Sequence, residues 1–193
     1  MVKRRTPGAS EWAKLAGLFR ERAEAAGAEV RTSATPSAAR TAIASILEEL
    51  GAQTIASAAD VKAFVPAKFR ARLVRGNKAE DSASAEAGLV LAHFGIAETG
   101  TLVHLDRSDA EKNVWTLPPV CVAVLEACAI VGRLEDVLPA ITKHLSSPSG
   151  FGQVSLVTGP SRTADIENVL SIGVHGPSRL VIVLVDGKIG KKA

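Results

Sequence analysis

The residues best suited to chemistry run Thr158-Gly159-Pro160-Ser161-Arg162-Thr163-Ala164-Asp165-Ile166-Glu167, directly after the apolar run Val154 to Val157. The spacing predicts a strand ending at Val157 and a short helix opening after the Gly-Pro bend. In open α/β sheets, ligands sit beyond the carboxyl ends of strands, and a helix N-terminus there offers unpaired N–H groups to an anion. Gly159 lets backbone approach a ligand closely, and Ser161 and Thr163 add hydroxyls. Arg162 can grip a carboxylate or phosphate through two parallel hydrogen bonds, and Asp165 then caps the helix or orients Arg162. A plainer reading stands beside this one. Gly-Pro-Ser is ordinary turn chemistry, with Arg162 pairing Asp165 or Glu167. The stretch is no nucleophile elbow: G-x-S-x-G is absent, and no spacing assembles Ser161, Asp165 and His175 into a triad.

A second stretch, Gly95-Ile96-Ala97-Glu98-Thr99-Gly100-Thr101, leads into the apolar run Leu102 to Leu105. Glu98 stands among small and apolar residues, so partial burial would raise its pKa toward use as a base or nucleophile. The alternative is a turn acid capping free amides, since one carboxylate is not a catalytic constellation. In the third stretch, Gly173-Val174-His175-Gly176-Pro177-Ser178-Arg179, the imidazole of His175 either orients a neighbouring loop or acts on a proton. A structural role fits its place just before a strand. His93, His104, His144 and His175 form no H-x-H or H-E-x-x-H pairing, and no metal site is expected. The two cysteines, Cys121 and Cys128, are too few for an iron–sulfur cluster, which generally takes four. Neither G-x-G-x-x-G nor a Walker loop is present, so no motif supports a nucleotide cofactor.

The elements that must position these residues show in the apolar pattern. Trp12, Leu15, Ala16 and Phe19 fall at helical spacing, predicting a helix over Glu11 to Ala26 with Ser10 as its cap and Gly27 as its end. Ala28 to Thr32 is a short strand candidate. Thr35-Pro36 opens a second helix with the stripe Ile43, Ile46, Leu47 and Leu50, closed by Gly51. Asp60 to Arg72 reads as helical although Pro66 interrupts it, and Arg75 to Ala85 as polar loop. Five apolar blocks follow, at Leu89 to Leu91, Leu102 to Leu105, Val120 to Leu125, Val154 to Val157 and Leu180 to Val185. Blocks without alternation suggest strands buried on both faces. Leu134, Val137, Leu138, Ile141 and Leu145 mark another amphipathic helix between two of them. The alternation predicts an α/β fold with an open, largely parallel sheet flanked by helices, and an N-terminal helical appendage.

Composition fits one domain over 1–193, with a helix-rich part through residue 85 and an α/β core over 86–193. With 47% hydrophobic residues the chain can bury a core without disulfides or metals. Charge interrupts every apolar run, so no membrane span is expected, nor is a signal peptide, and a cytoplasmic location is the default. A net charge of +3 does not demand nucleic acid. The basic run Lys68, Arg70, Arg72, Arg75 and Lys78 includes one aromatic, Phe69, and reads as a solvated helix face rather than a nucleic-acid surface.

In order and separation, Ala97-Glu98-Thr99-Gly100-Thr101-Leu102-Val103, Leu117-Pro118-Pro119, Gly159 to Glu167 and Gly173-Val174-His175-Gly176-Pro177 together resemble the signature of the LUD-domain family, of lactate utilisation protein C type. The resemblance covers about Ala87 to Val185. It departs at Ala85-Glu86-Ala87-Gly88-Leu89-Val90, where family members often carry an acidic residue and a Gly-Ile-Thr turn. It implies a fold similar to the sugar-phosphate isomerase and CoA-transferase group. It also implies a role in oxidising L-lactate to pyruvate as the cluster-free component, beside partner subunits that carry the iron–sulfur clusters. No cofactor is expected on this chain. The competing expectation is a stand-alone enzyme or binder acting on CoA esters or on phosphorylated or carboxylate metabolites. On either reading the candidate site is Glu98 with Thr99, Gly100, Thr101, Gly159, Pro160, Ser161, Arg162, Thr163, Asp165 and His175.

Overall fold

A computed structural model describes residues 9–58, 61, 64–65, 72–75, 78–147, 152–164, 170–172 and 176–186. Helix α1 (Ala9–Ala25) leads to β1 (Glu29–Ser33), α2 (Pro36–Glu49), β2 (Thr54–Ser57), β3 (Arg72–Arg75), α3 (Ala79–Ala83) and β4 (Ala87–Leu91). Then come β5 (Phe94–Ile96), β6 (Thr101–Asp106), α4 (Asp109–Thr116), β7 (Val120–Glu126), β8 (Ile130–Val131) and α5 (Leu138–Leu145). The chain closes with β9 (Gln153–Val157), β10 (Arg162–Ala164), β11 (Leu170–Ile172) and β12 (Arg179–Val185).

Six strands form the main sheet in the order β1-β12-β7-β4-β2-β3, and every neighbouring pair is parallel. The unalternating blocks follow from this. On β7 and β12, Cys121, Ala123, Leu125, Leu180, Ile182 and Leu184 face one core, while Val122, Val124, Val181, Val183 and Val185 face the other. The second core is closed by Ala39, Ile43, Ile46 and Leu47, the buried stripe of α2. That helix starts where Thr35 accepts a hydrogen bond from the Ala38 amide at 3.1 Å, with Pro36 in its first turn.

The other core holds Phe19 and Ala23 of α1 and Val114 and Trp115 of α4, together with Leu102 and Ile130. The last two belong to a second sheet of four strands, β8-β5-β6-β9, in which β6 pairs antiparallel with both β5 and β9. The two sheets thus share a core with α1 and α4. Close approach is built in at Gly95, where a Cβ would stand 2.7 Å from Leu125 and 3.0 Å from Phe19.

Several expectations need correction. The blocks at 102–105 and 154–157 are not strands of the parallel sheet. They form β6 and β9 of the smaller, mixed sheet, and β9 is only part-buried. The polar stretch 75–85 is not all loop, for α3 forms there with Ser82 fully buried. The apolar stripe at 134–145 does not face a core throughout. Val137 is buried and Ile141 packs against β5 and β6, yet Leu134, Leu138 and Leu145 are exposed. Ser10 lies inside α1 rather than capping it. The helical reading of 60–72 falls mostly outside the described residues; Val61 and Phe64 lie in the α2-side core with Val65 packed against it, and Arg72 already belongs to strand β3.

Candidate functional site

The last turn of α1 is where the signature segments meet. Gly27 ends the helix at φ 93°, its N–H bonded to the Glu24 carbonyl and the next amide, of Ala28, to that of Ala23. Two more glycines with left-handed backbone press on the same turn. Gly100 has φ 67°, and a Cβ there would collide with the backbone of Arg22 and Ala23. Gly159 has φ 72°, and a Cβ there would collide with the Ala26 carbonyl oxygen. Both positions need glycine twice over, for conformation and for space.

Hydroxyls join the two glycine turns. Thr99 Oγ1 lies 2.6 Å from Thr101 Oγ1, which lies 2.7 Å from Thr158 Oγ1, so one ladder connects the 98–101 turn to the 158–162 loop. Thr101 is buried, while Thr99 and Thr158 at the ends of the ladder reach solvent. Within the loop the Ser161 amide donates to the Pro177 carbonyl at 2.8 Å, and Gly176 sits against the Ser161 side chain. One residue further on, the amide and hydroxyl of Ser178 both donate to the Pro119 carbonyl, at 2.9 and 3.0 Å. The 97–103, 117–119, 159–162 and 176–177 segments are thereby bonded into one continuous region. It lies by the amino ends of β1, β7 and β12. Beside it, Arg179 clamps Glu29 through two bonds of 2.6 and 2.8 Å, which hold the Glu29 carboxyl below its usual range.

Arg162 is exposed, and its guanidinium rests on Gly27, where a Cβ would stand 2.5 Å from Nη2. It forms no ion pair among the described residues. A cation so placed complements the partial negative charge of a helix C-terminus. This reverses one expectation: Arg162 to Ala164 form β10, paired antiparallel with β11, and no helix opens at Arg162 to present its amides. The loop also lies at the amino edge of the parallel sheet, not beyond its carboxyl edge. Thr163 lies on β10 opposite Ser171. Asp165 and His175 lie outside the described residues.

Glu98 is not sheltered as its apolar neighbours suggested. Its side chain is 44% exposed, accepts a long 3.4 Å bond from the Leu134 amide and stands 3.9 Å from Arg133. Ile96 and Ala97 bury themselves and turn Glu98 and Thr99 outward. Thr158 and Gly27 belong to the site although neither stands among its predicted residues. The Gly27 that ends a helix and the hydroxyl flanking Gly159 were the available signals.

A second polar group lies inside the protein. His104 Nδ1 and Asp106 Oδ1 are 2.6 Å apart, both side chains fully buried, and Ser155 donates to Asp106 Oδ2 at 2.6 Å. His144 Nε2 reaches the Asp106 carbonyl oxygen at 2.9 Å, tying α5 to β6. His93 accepts from the Leu105 amide at 3.2 Å, and burial is the main cause pushing its pKa down to about 4. Burial likewise pushes the Cys121 thiol up to about 12, an inert core thiol. No group of three His, Cys, Asp or Glu among the described residues is placed to hold a metal ion, and no described helix is long and apolar enough to cross a membrane.

The model of the LUD domain family matches residues 16–185. The chain is 32% identical over 112 residues to lactate utilization protein C of Halalkalibacterium halodurans, covering 56% of this chain and 48% of that protein. It is 34% identical over 119 residues to lactate utilization protein C 1 of Bacillus mycoides, covering 58% and 49%. The Bacillus subtilis lactate utilization protein C is 32% identical over 105 residues, covering 54% and 44%. The matched region thus spans about half the length of these relatives. A crystal structure of a DUF162 family protein from Deinococcus radiodurans superposes with a TM-score of 0.70 at 19% identity, covering 93% of this chain and 99% of that one. At that identity the likeness shows a common fold.

Proposed function

The chain belongs to the LUD domain family, and on that premise we propose that it serves L-lactate utilisation as a component without an iron–sulfur cluster, working against partner subunits that carry the clusters. The observation that carries this reading is the joining of the described signature segments at the end of α1. Four stretches far apart in sequence are bonded into one surface, which presents Thr99, Thr158 and Arg162 to solvent. Glycines at positions where a Cβ would collide with the backbone at the end of α1 fix its shape, and among the described residues the groups it offers bind and orient rather than form a nucleophile–base pair.

Oxidising L-lactate to pyruvate removes two electrons and two protons. Two thiols, one fully buried, do not furnish the four ligands a cluster generally takes. On this reading the electron acceptor belongs to a partner, and this chain supplies an ordered docking or substrate-orienting surface. Relatives named lactate utilization protein C support it. The test is co-purification: tagged protein from lactate-grown cells brings down an iron–sulfur protein, and deletion of the gene stops growth on lactate. A pull-down without cluster protein, with growth intact, defeats the proposal.

The exposed guanidinium of Arg162, resting on Gly27 and without an ion pair among the described residues, favours a second reading, a stand-alone binder of carboxylates or phosphates such as CoA esters. Thermal shift against lactate, pyruvate, CoA and sugar phosphates separates the two. A ligand at a hundredfold its Kd adds about 2.7 kcal/mol to stability, and a flat screen removes this alternative.

A further inference from the structure

Beside the buried cluster on β6, two polar atoms have no hydrogen-bond partner among the described residues. His104 Nε2 and Trp115 Nε1 are both buried and unpartnered, and their rings pack with centroids 5.0 Å apart at 56°. Their chemistry is complementary. Trp115 Nε1–H is a donor only. On His104, Nδ1 faces the Asp106 carboxylate, whose oxygens only accept, one from this ring and the other from the Ser155 hydroxyl. Nδ1 therefore carries the proton, and in the neutral ring Nε2 presents a lone pair. Leaving both atoms bare forfeits the hydration of each with nothing in exchange. His93, edge-on to His104 at 4.8 Å, uses Nδ1 to accept from the Leu105 amide, and both Asp106 oxygens already accept, from His104 and Ser155.

We propose that Trp115 Nε1 and His104 Nε2 form an internal binding site for one water molecule, which accepts from the indole and donates to the imidazole. A buried water needs two to four polar partners, and these two supply one of each sense. The water joins α4 to β6, extending the Ser155–Asp106–His104 chain across the layer shared by the two sheets.

A crystal structure of the full chain that resolves ordered solvent tests this directly. The expected result is one well-ordered peak within about 3.2 Å of both nitrogens. A map with no solvent there, or with the indole bonded straight to the imidazole, overturns the proposal. In solution, Trp12→Phe leaves Trp115 as the one indole. Its N–H should then show a cross-peak to water with the sign of a long-lived bound molecule, and a cross-peak with the sign of fast surface exchange, or none, contradicts the site.

Discussion

In the six-stranded sheet the interior of β7 and β12 is aliphatic or thiol throughout, from Val120 to Leu125 and from Leu180 to Val185. The four-stranded sheet places His104 and Asp106 at 0% exposure and leaves Leu156 of its outer strand 49% exposed. Apolar burial is non-directional, so the larger sheet depends on volume and pattern. The smaller sheet depends on particular partners, because each buried polar group it carries must find one. The signature turns at 98–101 and 158–162 flank β6 and β9 of this second sheet. The more demanding architecture therefore holds the candidate site, while the parallel sheet carries it.

Substitutions sharpen that contrast. The largest effect is expected at Gly100→Val, where left-handed backbone and collision with the Ala23 main chain combine; a loss of about 4 kcal/mol or more in urea unfolding is expected. A loss below about 1 kcal/mol would show that the junction with α1 yields. Next comes Asp106→Ala, which strands His104 and Ser155 in the interior and should cost about 3 kcal/mol. A near-neutral result would mean that the small sheet tolerates polar loss as the large one tolerates an aliphatic swap.

A pH titration of stability comes third. Burial holds the His93 pKa near 4, below its ordinary 6.5. Above pH 6.5 neither the folded nor the unfolded chain binds that proton; between 6.5 and about 4 only the unfolded chain does. His93 therefore contributes stability that is full above pH 6.5 and is lost progressively as pH falls to about 4, by about 3 kcal/mol at most. His93→Asn keeps an acceptor for the Leu105 amide without titrating, and should remove that part of the slope. An unchanged slope would assign the acid sensitivity elsewhere.

What the sequence disclosed follows the same division. The parallel sheet was legible because its strands are buried on both faces, which writes continuous apolar runs at 89–91, 120–125 and 180–185. Strand β6 writes the same run for another reason: it lies between two cores, with Leu102 in one and Val103 in the other. Periodicity cannot separate that case from a parallel strand. Its polar members were readable, since Leu102, His104 and Asp106 alternate onto one face, as period two requires. The helix expected after Pro160 gave way to pairing of Arg162 with Ile172, a tertiary choice that local turn chemistry does not reveal. Glu98 misled because apolar neighbours in sequence are not neighbours in space. At 134–145 an amphipathic pattern appeared, but only Val137 and Ile141 of that stripe reach a core.

The smallest change in stability, joined to the largest in function, is expected at Arg162→Ala. The side chain is exposed and pairs with no acid among the described residues, so unfolding should shift by less than about 1 kcal/mol. The decisive measurement is growth on L-lactate of a deletion strain expressing Arg162→Ala at wild-type level. Failure to grow, with the protein folded, is the predicted result; growth equal to wild type would contradict the assignment of function to the surface at the end of α1.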